Sequence, residues 1–503
     1  MKNKYGLLPI LVSTVLMSLL FYMKTMGLNL LVFEAFLIAW LAFTKQLPFH
    51  STMQRLLFAG FVATGIATVF VSSTFGYVMH FVLFFILTGY WVWPRFNSLI
   101  AALLQAIVNF FHAQWAFLKK VLVVRLNGKS LGYYLRKAGI IIVPLIAVLI
   151  FFNIYRNSNP LFEQWTGNIG RFIAEKIELF IKYLDTPLFA TVFWSFIFSN
   201  FLLFRHFNPS ITETDALQLE DATRKRRQGI LGFKTNSLKS EHKAALIMLA
   251  ALNALLLVMN ISDIKLVWLG FEWEGQYLKQ FVHEGTYLLI FSILISIGIV
   301  LYFFRGNLNF YKKNKLLKQL SYAWLAQNAL LAISVAIRNY WYISYYALAY
   351  KRIGVLIFLI LTLYGLYTVY RKVSKRKTSA YLFRVNFNAM LVVLSLSSFV
   401  DWDTTIARYN FGHAGKSFVH FAFLADLSDK TLPILDKPLA ELEQIKQAQQ
   451  SFAAERHDIR PGEYYDFIQE RKADFVQRWE KKTLLEWNWP EYKAWKTLTT
   501  KTD

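Results

Sequence analysis

The sequence predicts an all-α protein: a polytopic transmembrane helical bundle of about eleven spans with a C-terminal soluble helical tail. Three observations predict it. Of 503 residues, 56% are hydrophobic and 17% charged, whereas a soluble domain carries about 25% charged residues. The apolar residues form runs of roughly sixteen to twenty, the length that crosses about 30 Å of hydrocarbon at 1.5 Å per residue. Finally, 55 Lys and Arg face 31 Asp and Glu, a net charge of +24. Most of the basic residues sit in connections between apolar runs, as topology signals do, and not on a nucleic-acid-binding face.

Taken in order, the expected spans are 5–22, 28–43, 56–73, 77–93, 139–155, 187–204, 243–261, 287–304, 319–337, 353–370 and 381–400. The first follows Lys2 and Lys4, and no A-x-A-like cleavage site precedes the second run, so it reads as a retained helix. The segment 98–118 is long and apolar enough to span, yet spanning would carry the basic stretch 119–137 outside. Its Gln105, Asn109 and His112 recur on one helical face, which predicts a partly buried cytoplasmic helix lying in the interface. The resulting organisation is an N-terminal membrane region (1–138) with four spans and that helix, a membrane core (139–400) with seven spans, and a tail (401–503) of two or three amphipathic helices. Four tryptophans near the end of the tail (Trp479, Trp487, Trp489 and Trp495) are expected to pack a small core.

Basic loops resist translocation, and they alternate here. Residues 119–137 and 305–318 carry Lys and Arg without an acid, Arg371, Lys372, Lys375, Arg376 and Lys377 form a third cluster, and Arg224 to Arg227 a fourth. The connection 262–286, with Asp263, Glu272, Glu274 and Glu284, is acidic, and 156–186 is balanced. This pattern places the N-terminus in the cytoplasm and the C-terminus outside it, in a cell (inner, cytoplasmic) membrane.

Where the last span meets the tail, the chain reads ARYNFGHAGKSFVHFAFLADLSDKTLPIL (407–435). Arg408, Tyr409 and Asn410, followed by Leu427, Ser428, Asp429, Pro433 and Leu435, resemble the signature of the domain of unknown function 4153/4173 families, bacterial multi-pass membrane proteins. NPLFEQW (159–165), YLKQFVHEGTYLLIFSI (277–293) and the stretch 325–355 resemble the same family. The resemblance spans roughly residues 140–490 and implies a membrane protein without an assigned activity.

On the predicted topology the polar residues of these stretches face one side. They form a candidate outer cluster: His283, Glu284, Arg338, Lys351, Arg352, Asp401, Asp403, Arg408, Tyr409, Asn410 and Asp429. Neighbouring side chains on a helix diverge by about 100°, so His283 and Glu284 read as a hydrogen-bonded pair near a helix start before they read as a catalytic or metal pair. Arg338, Lys351 and Arg352 match phosphate or carboxylate, but are expected to pair with Asp401 or Asp403 or to snorkel. Glu34 is the acid well inside a predicted span, where an ionised carboxylate is costly, and so is a candidate for a proton or ion pathway. Amides within spans, among them Asn253 and Gln327, are expected to join helices.

The chain has no cysteine, which excludes disulfides, thiolate zinc sites and iron–sulfur clusters. Phosphate-binding loops, nucleophile elbows and dinucleotide fingerprints are absent; no catalytic residue, metal or cofactor is indicated. The expected partners are the lipid bilayer and an extracytoplasmic protein bound by 401–503. The expected function is non-enzymatic, in partner binding or envelope sensing, with a transporter or lipid-handling protein as the alternative and a membrane-embedded enzyme at the outer face as the second alternative.

Overall fold

The computed structural model describes residues 8–44, 51–126, 128–183, 185–224, 238–269, 275–449 and 458–500. Among them, ten helices are long and apolar enough to cross a membrane, and two shorter apolar helices precede them. The short pair is α1 (Leu8–Phe21) and α2 (Leu28–Phe43). Then come α3 (Thr52–Phe70), α4 (Thr74–Val92), α5 (Leu99–Val123), α6 (Leu131–Ser158), α7 (Pro160–Tyr183) and α8 (Thr186–Leu203). A small α9 (Pro209–Ala216) leads to α10 (Leu238–Asp263), α11 (Gly275–Phe303), α12 (Lys315–Tyr346), α13 (Tyr350–Lys375) and α14 (Ser379–Ser397).

Starts are set locally. Ser51, Ser73, Ser98, Ser130, Asp185 and Thr378 each accept a backbone N–H of the first turn, filling bonds that a helix start leaves open. The helices run further than hydropathy implies. α12 has 32 residues, about 48 Å at 1.5 Å each, so Arg338 lies inside a helix and the connection expected between 337 and 353 shrinks to 347–349. Likewise α10 continues through a π-helical turn, Ile264–Leu269, and α11 begins at Gly275; most of the loop expected at 262–286 is helical.

Helix directions follow from side-chain pairing. Ser199 donates to Ser13 at 2.9 Å and Tyr22 to Asp185 at 2.6 Å, so α1 and α8 are antiparallel. Asn253 donates to the Leu320 carbonyl and Asn260 to that of Gln327, so α10 and α12 run parallel, with α11 returning between them. Gln327 donates to Asn253 at 2.8 Å, the amide bridge expected between spans. The start of α1 and the end of α14 thus lie at opposite ends of the bundle. One apolar core joins α1 to α5 with Phe201 and Leu202 of α8; a second joins α10 to α14.

The polar face of α5 is turned inward. Gln105 and Asn109 are buried; Gln105 bonds the backbone of His206 and Asn208, and Asn109 that of Phe201 and His206. These amides satisfy the chain where α8 ends and helical bonding stops, so the face expected to meet headgroups meets protein. Gly89 of α4 makes the fit possible: a Cβ there would stand 1.9 Å from the Ala102 oxygen. By contrast α6 has no buried residue and packs against α7, where Phe152 and Tyr155 meet Phe162.

The tail packs around Phe421, Leu432, Tyr464 and Ile468. Its helices are α15 (Trp402–Gly412), α16 (Phe421–Ala425), α17 (Leu432–Leu435), α18 (Leu439–Ala448), α19 (Pro461–Glu480) and α20 (Trp489–Thr500). Pro461 is the first residue of α19, where its missing N–H costs nothing. Trp479 is buried, and Trp487, Trp489 and Trp495 surround Tyr492 at ring distances of 6.0 to 6.2 Å.

Candidate functional site

Two polar groupings stand out, one within the N-terminal helices and one where the bundle meets the tail. In the first, Glu34 of α2 is 6% exposed and its Oε1 lies 2.5 Å from Nε2 of His80 on α4. His80 Nδ1 lies 3.0 Å from Thr64 Oγ1 on α3, and that hydroxyl bonds the carbonyls of Gly60 and Phe61. The imidazole thus gives the Glu34 carboxyl a hydrogen-bonding partner inside the bundle, which lowers the cost of placing a carboxyl among apolar helices. Phe61 stacks on His80 at 4.9 Å, and Gly65 leaves room for both side chains.

Glu34 also lines a cavity of about 540 Å³ between α1, α2, α4 and α8. Its walls are almost wholly apolar, with Phe33, Phe81, Phe84 and Phe198 prominent. Met26 and Trp194, 42% and 54% exposed, form its mouth at the bundle periphery. Its size is in the range of about 300–1,000 Å³ usual for small-molecule sites. His80 was not among the sequence candidates; a lone histidine in an apolar helix gives no sign of a partner 46 positions away.

Of the predicted outer residues, Asp401, Asp403 and Asn410 join the tail to the bundle. Lys430 is central: its side chain is 2% exposed, 2.9 Å from Asp401 and 3.7 Å from Asp403. It also donates to the carbonyls of Val71 and Ser72 at 2.9 and 3.1 Å, in the α3 to α4 connection. Asp403 accepts from Tyr350 at 2.6 Å and from Ser428. Asp429 binds Arg471 and Arg478 within the tail at 2.5 and 2.9 Å. Asn410 holds both backbone groups of Leu348, at 2.8 and 3.1 Å, beside Ala347 with its positive φ of 61°. Tyr409 stacks on His413 at 4.1 Å and Arg408 is exposed.

The expected pairing of Arg338 with Asp401 or Asp403 is replaced. Arg338 is 3% exposed and binds Asp263, which also accepts from Ser334 at 2.5 Å. Arg338 lies about two turns inside the end of α12, level with the end of α10 rather than with the tail, so Asp263 is the carboxylate within reach. Arg352 donates to the Tyr346 carbonyl at 2.6 Å and to that of Ala347, and lies over the Tyr342 ring at 4.5 Å. His283 and Glu284 belong to the part of α11 before Gly285, and their side chains lie outside the described residues, as do Glu272 and Glu274. Among the described residues no three His, Asp or Glu side chains converge on a metal-sized site.

A bundle of this helical content and apolarity, capped by a folded tail, defines a polytopic α-helical membrane protein in contact with the lipid bilayer. The chain belongs to the family described as domain of unknown function DUF4153, whose model matches residues 11–437. That match takes in the first spans, where the sequence resemblance was weak, and ends before α18. No curated protein and no solved structure matches the chain.

Proposed function

We propose that this protein is a non-enzymatic lipid-handling membrane protein that accepts the apolar chain of a membrane lipid between α1, α2, α4 and α8. One observation carries the reading: an apolar cavity of about 540 Å³ opens at the bundle periphery and holds one buried ionisable pair, Glu34 with His80, at its wall. A chain leaving the bilayer would exchange one apolar environment for another and fill space the helices leave open. The pair offers a hydrogen bond to a polar group at the chain's buried end.

The proposal includes an orientation, with the tail extracytoplasmic in the cell membrane. Supporting it, Arg205, Arg305, Lys312, Lys313, Arg376 and Lys377 lie at the end opposite the tail. Partner binding by an independent tail has less support, because the tail spends Lys430, Asn410 and Glu486 on its own bundle. A proton pathway has less support too: the chain of bonds from Glu34 stops at the carbonyls of α3.

The test is photo-crosslinking of the full-length protein in nanodiscs with a phospholipid carrying a diazirine on its acyl chain. Labels concentrated on Phe81, Trp194 and Phe198, and removed by the cavity-filling Ser195→Trp, are expected. Labelling spread evenly around the bundle, or unchanged by that substitution, overturns the proposal. A reporter fused at Asp503 that is active only in the cytoplasm overturns the orientation.

A further inference from the structure

A second cavity, of about 350 Å³, lies at the tail end, where α11, α12 and α13 meet the tail. It shares no lining residue with the apolar cavity. Its walls are mostly apolar and aromatic, closed on one side by Phe423 of the tail, with Thr286, Asn339, Lys351 and Arg352 set among them.

Three observations point to an anion. Lys351 and Arg352 occupy the first turn of α13, where free backbone N–H groups and the helix dipole favour negative charge; Ala349, which precedes it, supplies no side-chain cap. Arg352 is already oriented by the carbonyls of Tyr346 and Ala347 and by the Tyr342 ring, so little order remains to be imposed on binding. Independently, Thr286 is 5% exposed and faces the cavity, and its hydroxyl meets no acceptor among the described residues. A buried hydroxyl left unpaired costs about 1–3 kcal/mol, which a bound oxygen would recover.

The setting selects the source of that anion. Tyr287 and Tyr350, both lining residues, are 52% and 47% exposed at the end of the spans, the depth at which aromatic residues meet lipid headgroups. Asp403, which accepts from Tyr350, lies 3.7 Å from Lys430, so its charge is already answered and does not repel a ligand.

We propose that this cavity binds a phosphate group, of the kind carried by a phospholipid headgroup. Lys351 supplies the opposing charge, and Thr286 donates its hydroxyl to a phosphate oxygen. No bond is made or broken. The site stands or falls independently of the apolar cavity.

The experiment is native mass spectrometry of the full-length protein in detergent, titrated with a phosphatidylglycerol, with a diacylglycerol of the same chains, and with inorganic phosphate. Saturable binding of the phosphatidylglycerol is expected, weakened about tenfold by Lys351→Glu and several-fold by Thr286→Val, in line with the loss of charge-assisted bonds. The diacylglycerol is expected not to compete. Inorganic phosphate that binds as tightly, with the same sensitivity to both substitutions, keeps the phosphate site and assigns it to the free ion. Equal binding of both lipids, or affinities unchanged in both variants with unaltered melting temperatures, overturns the proposal.

Discussion

Glu486 of the tail accepts hydrogen bonds from both the backbone N–H and the hydroxyl of Thr25, at 3.0 and 3.2 Å, across 461 positions of sequence. The same carboxyl receives Thr483 at 3.1 and 3.0 Å, and Leu28 donates to the adjoining Trp487 carbonyl. The approach is close enough that a Cβ at Gly27 would stand 2.5 Å from the Glu486 backbone. The turn joining α1 and α2 is therefore built around the tail.

This contact is expected to be sensitive to acid. Burial alone would raise the Glu486 pKa, but the bonds from Thr25 and Thr483 outweigh it and hold the carboxyl below its ordinary value. A lowered folded-state pKa contributes stability that is present above the unfolded value of about 4.3 and is lost as pH falls through the folded value. Spin labels at Met26→Cys and Leu484→Cys, clean in a chain without cysteine, should report a distance that broadens below that unfolded value. In Glu486→Gln the broadening should be present at neutral pH and show no further acid step.

Lys430→Ala should be among the most damaging single substitutions in the tail. It removes a buried ammonium from Asp401 and from the Val71 and Ser72 carbonyls together. Breaking a buried charged pair from one side costs about 3–5 kcal/mol. A fall in melting temperature, with faster proteolysis of 401–500, is the expected readout; a wild-type melt would remove Lys430 as the pin between tail and bundle.

Asp263→Leu leaves Arg338 charged within the bundle and should cost a similar amount, about 3–5 kcal/mol. Replacing both at once, Asp263→Leu with Arg338→Met, should recover much of the loss, because no unpaired charge remains buried. Comparing the two single variants and the double variant by thermal unfolding in one detergent measures the coupling.

Gly89→Ala tests the contact of α4 with α5. The added methyl would overlap the Ala102 carbonyl at 1.9 Å, and backbone cannot step aside as a side chain can. Overpacking of this kind costs about 1–3 kcal/mol or more. The expected result is poor recovery of monodisperse protein, whereas Gly139→Ala, where nothing stands within 4 Å, should behave as wild type.

Much of the architecture is legible in the sequence because a bilayer imposes a length on apolar segments. α3, α4, α8 and α10 to α14 each contain a run visible in the sequence. Element ends were less legible: α12 continues through Arg338 to Tyr346 because backbone groups outside hydrocarbon still gain from helical bonding, a gain hydropathy does not record. Of the candidate site, Glu34 was visible as an acid in an apolar run, but His80 was not, since α4 is apolar on all sides and no face announces a partner. At the tail end, Lys430, which holds Asp401 and Asp403, carries no local mark that separates it from an exposed lysine.

By itself the sequence determined that the chain is helical and membrane-spanning, and that basic connections alternate along it, since each follows from how a short segment partitions between water and lipid. Tertiary structure alone decided which buried polar groups meet: Glu34 with His80, Arg338 with Asp263, and Lys430 with a turn more than three hundred positions away. Apolar helices are nearly interchangeable to a bilayer. Their pairing is set by close-packed shape and by the demand that every buried donor find an acceptor, and both are properties of the assembled bundle.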